Sequence, residues 1–184
     1  MNLLKKIGIA AAVIIAIPLI AAIFVKKEYT VLREITINRS KTDVFSYIKL
    51  LKNQENYSRW AQMDPKMKKT YQGTDGTAGF ISGWESTNKD VGKGEQEIKK
   101  ITEGERIDYE LRFIEPFQGT EQAFMAVETV SDEQTKVKWG FNGHMAYPMN
   151  LMMLFMNFEE MIGKDFDIGL NGLKQILEKK SDEK

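Results

Sequence analysis

The feature that most constrains this chain is the stretch from Pro148 to about Lys180, where apolar residues keep helical spacing without a break. Leu151, Leu154, Phe155, Phe158, Ile162, Phe166, Leu170, Leu173 and Leu177 hold that spacing throughout. Proline at the first helical position is a start signal, because its missing N–H has no partner to lose there. The spacing predicts one helix of about eight turns, roughly 45–50 Å at 1.5 Å per residue. A helix that long spans a small domain end to end, so the remaining chain must wrap it. Met149, Met152, Met153 and Met156 add a second apolar stripe, and six of the ten methionines lie between Met145 and Met161. A helix apolar nearly all round is buried on most sides. Flexible, polarizable methionine suits either an irregular core or an adaptable pocket wall.

The second constraint is at the other end. Ile7 to Val25 is nineteen residues without a charge, bracketed by Lys5-Lys6 and Lys26-Lys27. As a helix it covers about 28 Å, against a hydrocarbon core of about 30 Å. Its isoleucines, valines, Leu19 and Phe24 together favour insertion by about 3–6 kcal/mol before Gly8 and Pro18 count against it. A cleaved signal peptide is the competing reading, but Ile20 and Ile23 occupy the positions where a small-x-small cleavage site would need small residues. The expectation is an uncleaved single-pass anchor over 1–27 and a folded domain over 28–184. Both flanks carry two lysines, and the short basic N-terminus leans towards a domain outside the cytoplasm, periplasmic or extracellular, at a bacterial inner membrane.

Between these ends the chain changes period. Tyr29, Val31, Ile35 and Ile37 share one face of a strand, with Arg33 as its charged exception. Ser40 can cap a helix that carries Val44, Phe45, Ile48 and Leu51, and a second short helix holds Tyr57, Trp60 and Met63 before Pro65. From Lys66 to Met145 the period is two. Ile107, Tyr109, Leu111 and Phe113 alternate with Asp108, Glu110 and Arg112, and Val137, Trp139 and Phe141 alternate with Lys136, Lys138 and Asn142. Short strands joined by tight turns make an antiparallel sheet with one wet face, and its dry face needs the C-terminal helix as a cover. The predicted class is α+β: a curved sheet of about seven strands around a long helix, with two short helices after the first strand.

Composition narrows the chemistry. The chain has no cysteine, so disulfides, thiolate metal sites and a cysteine nucleophile are excluded. A single histidine, His144, excludes a metal site built on several histidines. Four of the 26 basic residues flank the N-terminal apolar run, which leaves 22 against 26 acidic residues in the domain and disfavours nucleic acid. Alternation places His144 on the outer face with Lys138 and Asn142. Glu159-Glu160 and Asp165-x-Asp167 read as a solvated helix face, and Gly73-x-x-Gly76-x-x-Gly79 joins strand to strand as a hairpin turn rather than a phosphate loop. Glu95 and Glu97 share their face with Lys99 and make a weak carboxylate pair. No metal or cofactor is expected.

The order of elements resembles the START-like superfamily, in the SRPBCC branch named for polyketide cyclases and dehydrases. The resemblance covers about residues 28 to 180. It rests on Arg33-Glu34-Ile35, Val44-Phe45, Tyr57-Ser58-Arg59-Trp60, Gly83-Trp84, the run Val91 to Gln96, Tyr109-Glu110-Leu111 and Val137-Lys138-Trp139. It implies a helix-grip fold with a pocket between sheet and helix for an apolar or amphipathic ligand. The N-terminal anchor is an addition that simple soluble members lack.

The expected hydrophobic cavity is walled by Trp84, Tyr109, Phe113, Met125, Trp139 and Phe141 from the sheet and by Met149, Met152, Met153 and Met156 from the helix. Ser82, Gln96 and the Tyr109 hydroxyl would orient the ligand. The leading functional expectation is a membrane-anchored binding protein for a hydrophobic small molecule: a lipid, isoprenoid or quinone. A cyclase or dehydratase acting on an apolar substrate is the alternative, with Tyr109 or Arg33 as its acid or base. A module that modulates a protein partner without a ligand is the third.

Overall fold

The computed structural model of the chain describes residues 3–179. Helix α1 (Leu3–Phe24) comes first, followed by β1 (Glu28–Ile37), α2 (Lys41–Lys49), a 3-10 turn (Leu51–Asn56) and α3 (Arg59–Met63). Six strands follow: β2 (Lys68–Gln72), β3 (Ile81–Glu85), β4 (Lys93–Thr102), β5 (Arg106–Glu115), β6 (Gly119–Ser131) and β7 (Gln134–His144). A second 3-10 turn (Met149–Leu154) leads into α4 (Phe158–Lys179). The strands form one antiparallel sheet in the order β1-β7-β6-β5-β4-β3-β2. Strand β1 closes it by pairing with β7, Val31 opposite Phe141 and Ile35 opposite Val137.

The alternating pattern sorts the faces. Val31, Ile98, Ile107, Tyr109, Met125, Val137 and Trp139 point inward and are buried. Lys99, Glu97, Glu110 and Arg112 point outward, and Arg112 bridges Glu95, Glu97 and Glu110. The carboxylate pair Glu95 and Glu97 is thus part of an ion-pair network on the wet face. The glycine-rich loop expected as a turn behaves as one: Gly73, Gly76 and Gly79 all have positive φ, where a side chain is strained, and so does Gly104 between β4 and β5.

Helix α4 lies across the concave face with Phe166, Leu170, Leu173 and Leu177 inward. Phe166 stacks on Trp139 with ring centres 4.5 Å apart and meets Trp60 edge-on at 6.0 Å. Helix and β1 approach closely at Gly163, where a Cβ would fall 2.2 Å from the Arg33 guanidinium. Arg33, the one charge on the inner face of β1, runs over this glycine to Glu159 and Asp167 at 3.7 and 3.5 Å.

The C-terminal helix is shorter than its apolar spacing predicts. It does not begin at Pro148, which follows a cis peptide bond. It begins after Asn157, whose Oδ1 accepts the Glu160 N–H at 3.1 Å. An asparagine with glutamate three residues on is a helix-start signal that outweighs the proline. The 22 residues of α4 make about 33 Å. The preceding turn serves a different neighbour: Asn150 is buried and donates to the Ala22 and Val25 carbonyls at 2.7 and 3.0 Å. It thereby caps the C-terminal end of α1, where helix carbonyls lack intrahelical partners.

Helix α1 is long and apolar enough to cross a membrane. Of its residues only Ala22 is buried, so it stands clear of the sheet and touches the rest of the chain through its last turn.

Candidate functional site

A cavity of about 460 Å³ lies between the inner face of the sheet, the first 3-10 turn with α3, and the first half of α4. That volume is in the range of small-molecule sites. Its wall follows from the twist and curl of the sheet. Phe166 and Ile162 cover the middle of the concave face but leave the strands nearest the open edge, β3 to β5, uncovered. Trp84, Leu111 and Phe113 face that space. Trp84 is held by its indole N–H, which donates to the Val91 carbonyl at 3.1 Å, and it meets Phe113 edge-on at 6.1 Å. Its ring lies over Gly94, where any Cβ would come within 2.6 Å of it.

The sheet residues expected to wall the cavity divide into two groups. Trp84, Gln96, Phe113, Trp139 and Phe141 line the cavity, as does Ser82. Tyr109 and Met125 do not. Both are fully buried in the packed core, where the Tyr57 hydroxyl donates to Met125 Sδ at 3.4 Å. Burial holds the Tyr57 and Tyr109 hydroxyls far above the usual tyrosine range. The four methionines also lie elsewhere, because the turn that carries them packs against α1 and not over the sheet. Met149 is exposed, while Met153 and Met156 border a shallow groove with Lys26, Glu28 and Phe158. Arg33 is committed to α4 and, like Tyr109, does not reach the cavity.

Sequence reasoning missed the charged groups of the site. Lys69 and Glu55 face each other at 4.0 Å in the wall, and Tyr71 donates its hydroxyl to the same carboxylate. Burial lowers the Lys69 ammonium below the usual lysine value, and Glu55 partly restores it. With Gln54, Ser58, Ser82 and Gln96 they form a polar strip beside the aromatic middle. Strand parity could have found Lys69, which alternates with the outward Lys68 and Thr70, and Glu121, which shares the inward phase of Ala123 and Met125.

The mouth is set by topology. The start of β1, the end of β7, the β5–β6 hairpin and the β3–β4 loop all meet at one end of the sheet. Lys89, Asp90, Glu115, Pro116, Phe117 and Gln118 form the rim there. Gly92 packs against the hairpin so closely that a Cβ would lie 2.1 Å from the Glu115 carbonyl. Inside the rim, Glu121 accepts the His144 backbone N–H at 2.9 Å. Burial raises the Glu121 carboxyl above its usual range, and burial plus that carboxylate push Tyr29 up to about 12. His144 is exposed, as its outward phase predicts, and borders the mouth.

No protein-family model and no curated protein matches the chain. Solved structures do. A solution structure of a protein from Thermobifida fusca is 18% identical with a TM-score of 0.56, covering 80% of this chain and 92% of that one. The crystal structure of Ara h 8.0201 is 14% identical with a TM-score of 0.55, covering 85% and 99%. Norcoclaurine synthase from Thalictrum flavum, solved with dopamine and hydroxybenzaldehyde, is 10% identical with a TM-score of 0.58, covering 83% and 87%. At these identities the likeness is one of fold, and the chain has the helix-grip fold that these structures share.

Proposed function

We propose that the chain is a membrane-anchored binding protein for a hydrophobic or amphipathic small molecule of the lipid, isoprenoid or quinone class. The observation that carries this reading is the cavity itself: an aromatic middle of Trp84, Phe113, Trp139 and Phe141, with a polar strip around Lys69 and Glu55 along one side. Apolar contacts supply affinity, and the few polar groups fix orientation. A ligand with an anionic or hydrogen-bonding head and an apolar body matches that distribution. That norcoclaurine synthase holds two small aromatic molecules supports a ligand-carrying use of the fold. Helix α1 anchors the protein, and the residues from Glu28 onward form the binding domain outside the cytoplasm. Protease protection of the domain in intact spheroplasts would contradict that side.

The test is titration of the full chain with anilinonaphthalene sulfonate, which is both apolar and anionic, while exciting tryptophan. Energy transfer from Trp84 and Trp139 is expected, and Leu111→Trp, which fills the cavity, should abolish the binding while the melting temperature is kept. Equal binding by both proteins would place the dye elsewhere and remove the support.

The second reading is acid–base chemistry on the bound molecule, favoured by the half-buried Lys69 amine beside Glu55. Conversion of the bound compound by the native protein, lost in Lys69→Met while binding persists, would select it.

A further inference from the structure

The turn between β7 and α4 holds several of its apolar side chains outward. Phe155 is 85% and Leu154 60% exposed, and Tyr147 and Met149 are exposed beside them. The turn is nonetheless well tied. Asn150, Leu151, Phe155 and Met156 all donate backbone hydrogen bonds within it, and the Asn150 side chain fastens it to the last turn of α1. Ile23 and Phe24, also exposed, end that helix, and Lys26 and Lys27 follow. Across the cavity mouth, at the same end of the sheet, the β5–β6 hairpin presents Phe117, which is 70% exposed.

Ordered apolar side chains that water surrounds call for a cover. Here the cover is indicated by continuity, because the patch directly adjoins the end of α1, which among the described residues is the one helix long and apolar enough to cross a bilayer. Aromatic residues with lysines beside them are the composition of a membrane interface. We infer that Met149–Phe155 and the Phe117 hairpin tip are immersed in the interface of the bilayer that α1 spans, so that the cavity mouth opens against lipid. Lys26, Lys27, Lys89 and the rim carboxylates then lie at headgroup level. The ligand passes between bilayer and cavity sideways, without crossing water. This inference rests on the reading of α1 as a membrane span and adds the orientation of the domain to it.

The absence of native cysteine allows a direct test on the full chain. Ile14→Cys, Phe117→Cys, Phe155→Cys and Asp132→Cys are each labelled with nitrobenzoxadiazole and placed in phosphatidylcholine vesicles. Asp132 lies in the β6–β7 turn at the far end of the sheet and reports the water side. Nitroxide lipid should quench labels at 14, 117 and 155 several-fold more than at 132, and aqueous iodide should do the reverse. Quenching by lipid at 14 alone, with 117 and 155 behaving like 132, overturns the inference and leaves the anchor standing. No lipid quenching at 14 removes the anchor reading and the inference with it. A label at 155 shielded from both quenchers means that a protein partner or a second copy covers the turn, which also overturns the lipid assignment.

Discussion

Asn150→Leu should loosen the join between α1 and the domain without unfolding the domain. Asn150 is wholly buried, and its amide donates two hydrogen bonds to the Ala22 and Val25 carbonyls. These carbonyls lie in the last turn of α1 and just past it, where no later helical N–H can reach them. Leucine keeps the branched shape of four side-chain heavy atoms but is bulkier and has no donor, so the change removes both bonds, and any overpacking acts in the same direction. Two neutral hydrogen bonds contribute about 1–3 kcal/mol together. Local opening of the 145–157 segment should therefore rise about 5- to 150-fold, at one decade per 1.36 kcal/mol. Hydrogen exchange of the full chain in lipid nanodiscs reads this directly. Peptides covering 145–157 should exchange faster, while those covering β5 should not change. Unchanged exchange over 145–157 would refute the claim that Asn150 fastens the turn to α1.

Three further outcomes follow from the site. Phe166→Ala removes a ring stacked on Trp139 and should cost about 3–5 kcal/mol of stability by chemical denaturation. Lys69→Met should weaken an anionic apolar ligand more than a neutral one of the same shape, since only the former uses the ammonium; equal losses in calorimetric titration would deny Lys69 that role. The Glu121 carboxyl is raised in the folded chain, so folding favours its protonated form. Stability from this group is present at acid pH and lost as pH climbs through the raised value. Glu121→Gln should flatten that part of the melting-temperature profile, and an unchanged slope would count against the raised carboxyl.

Much of the sheet was legible because one of its faces is wet. Ile107, Tyr109, Leu111 and Phe113 alternate with charged neighbours on β5, and that period leaves no other assignment. The helical spacing runs past the start of α4 for a physical reason. Residues 149–156, apolar except for Asn150, pack against α1 or face outward and do not cover the sheet, yet their spacing continues that of α4. Asn157 and Glu160 marked the true start, while Pro148 drew the boundary too early. The methionine stripe therefore belongs to the segment before α4 and not to the helix over the sheet. Tyr109 and Met125 share the inward phase of Phe113 and Trp139, so alternation cannot tell a cavity wall from a packed floor. That distinction depends on how far α4 and α3 stand from the strands, a distance that no periodicity encodes. Lys69 and Glu121 were readable by parity but hidden by the expectation that inward positions are apolar.

The measurement closest to the central claim is native mass spectrometry of the full chain, purified gently from cells into lipid nanodiscs. A bound apolar compound should accompany the folded protein, leave on denaturation, and be missing from Leu111→Trp. A folded wild-type protein that carries no such mass, and takes up neither lipid nor quinone when these are supplied, would contradict the account.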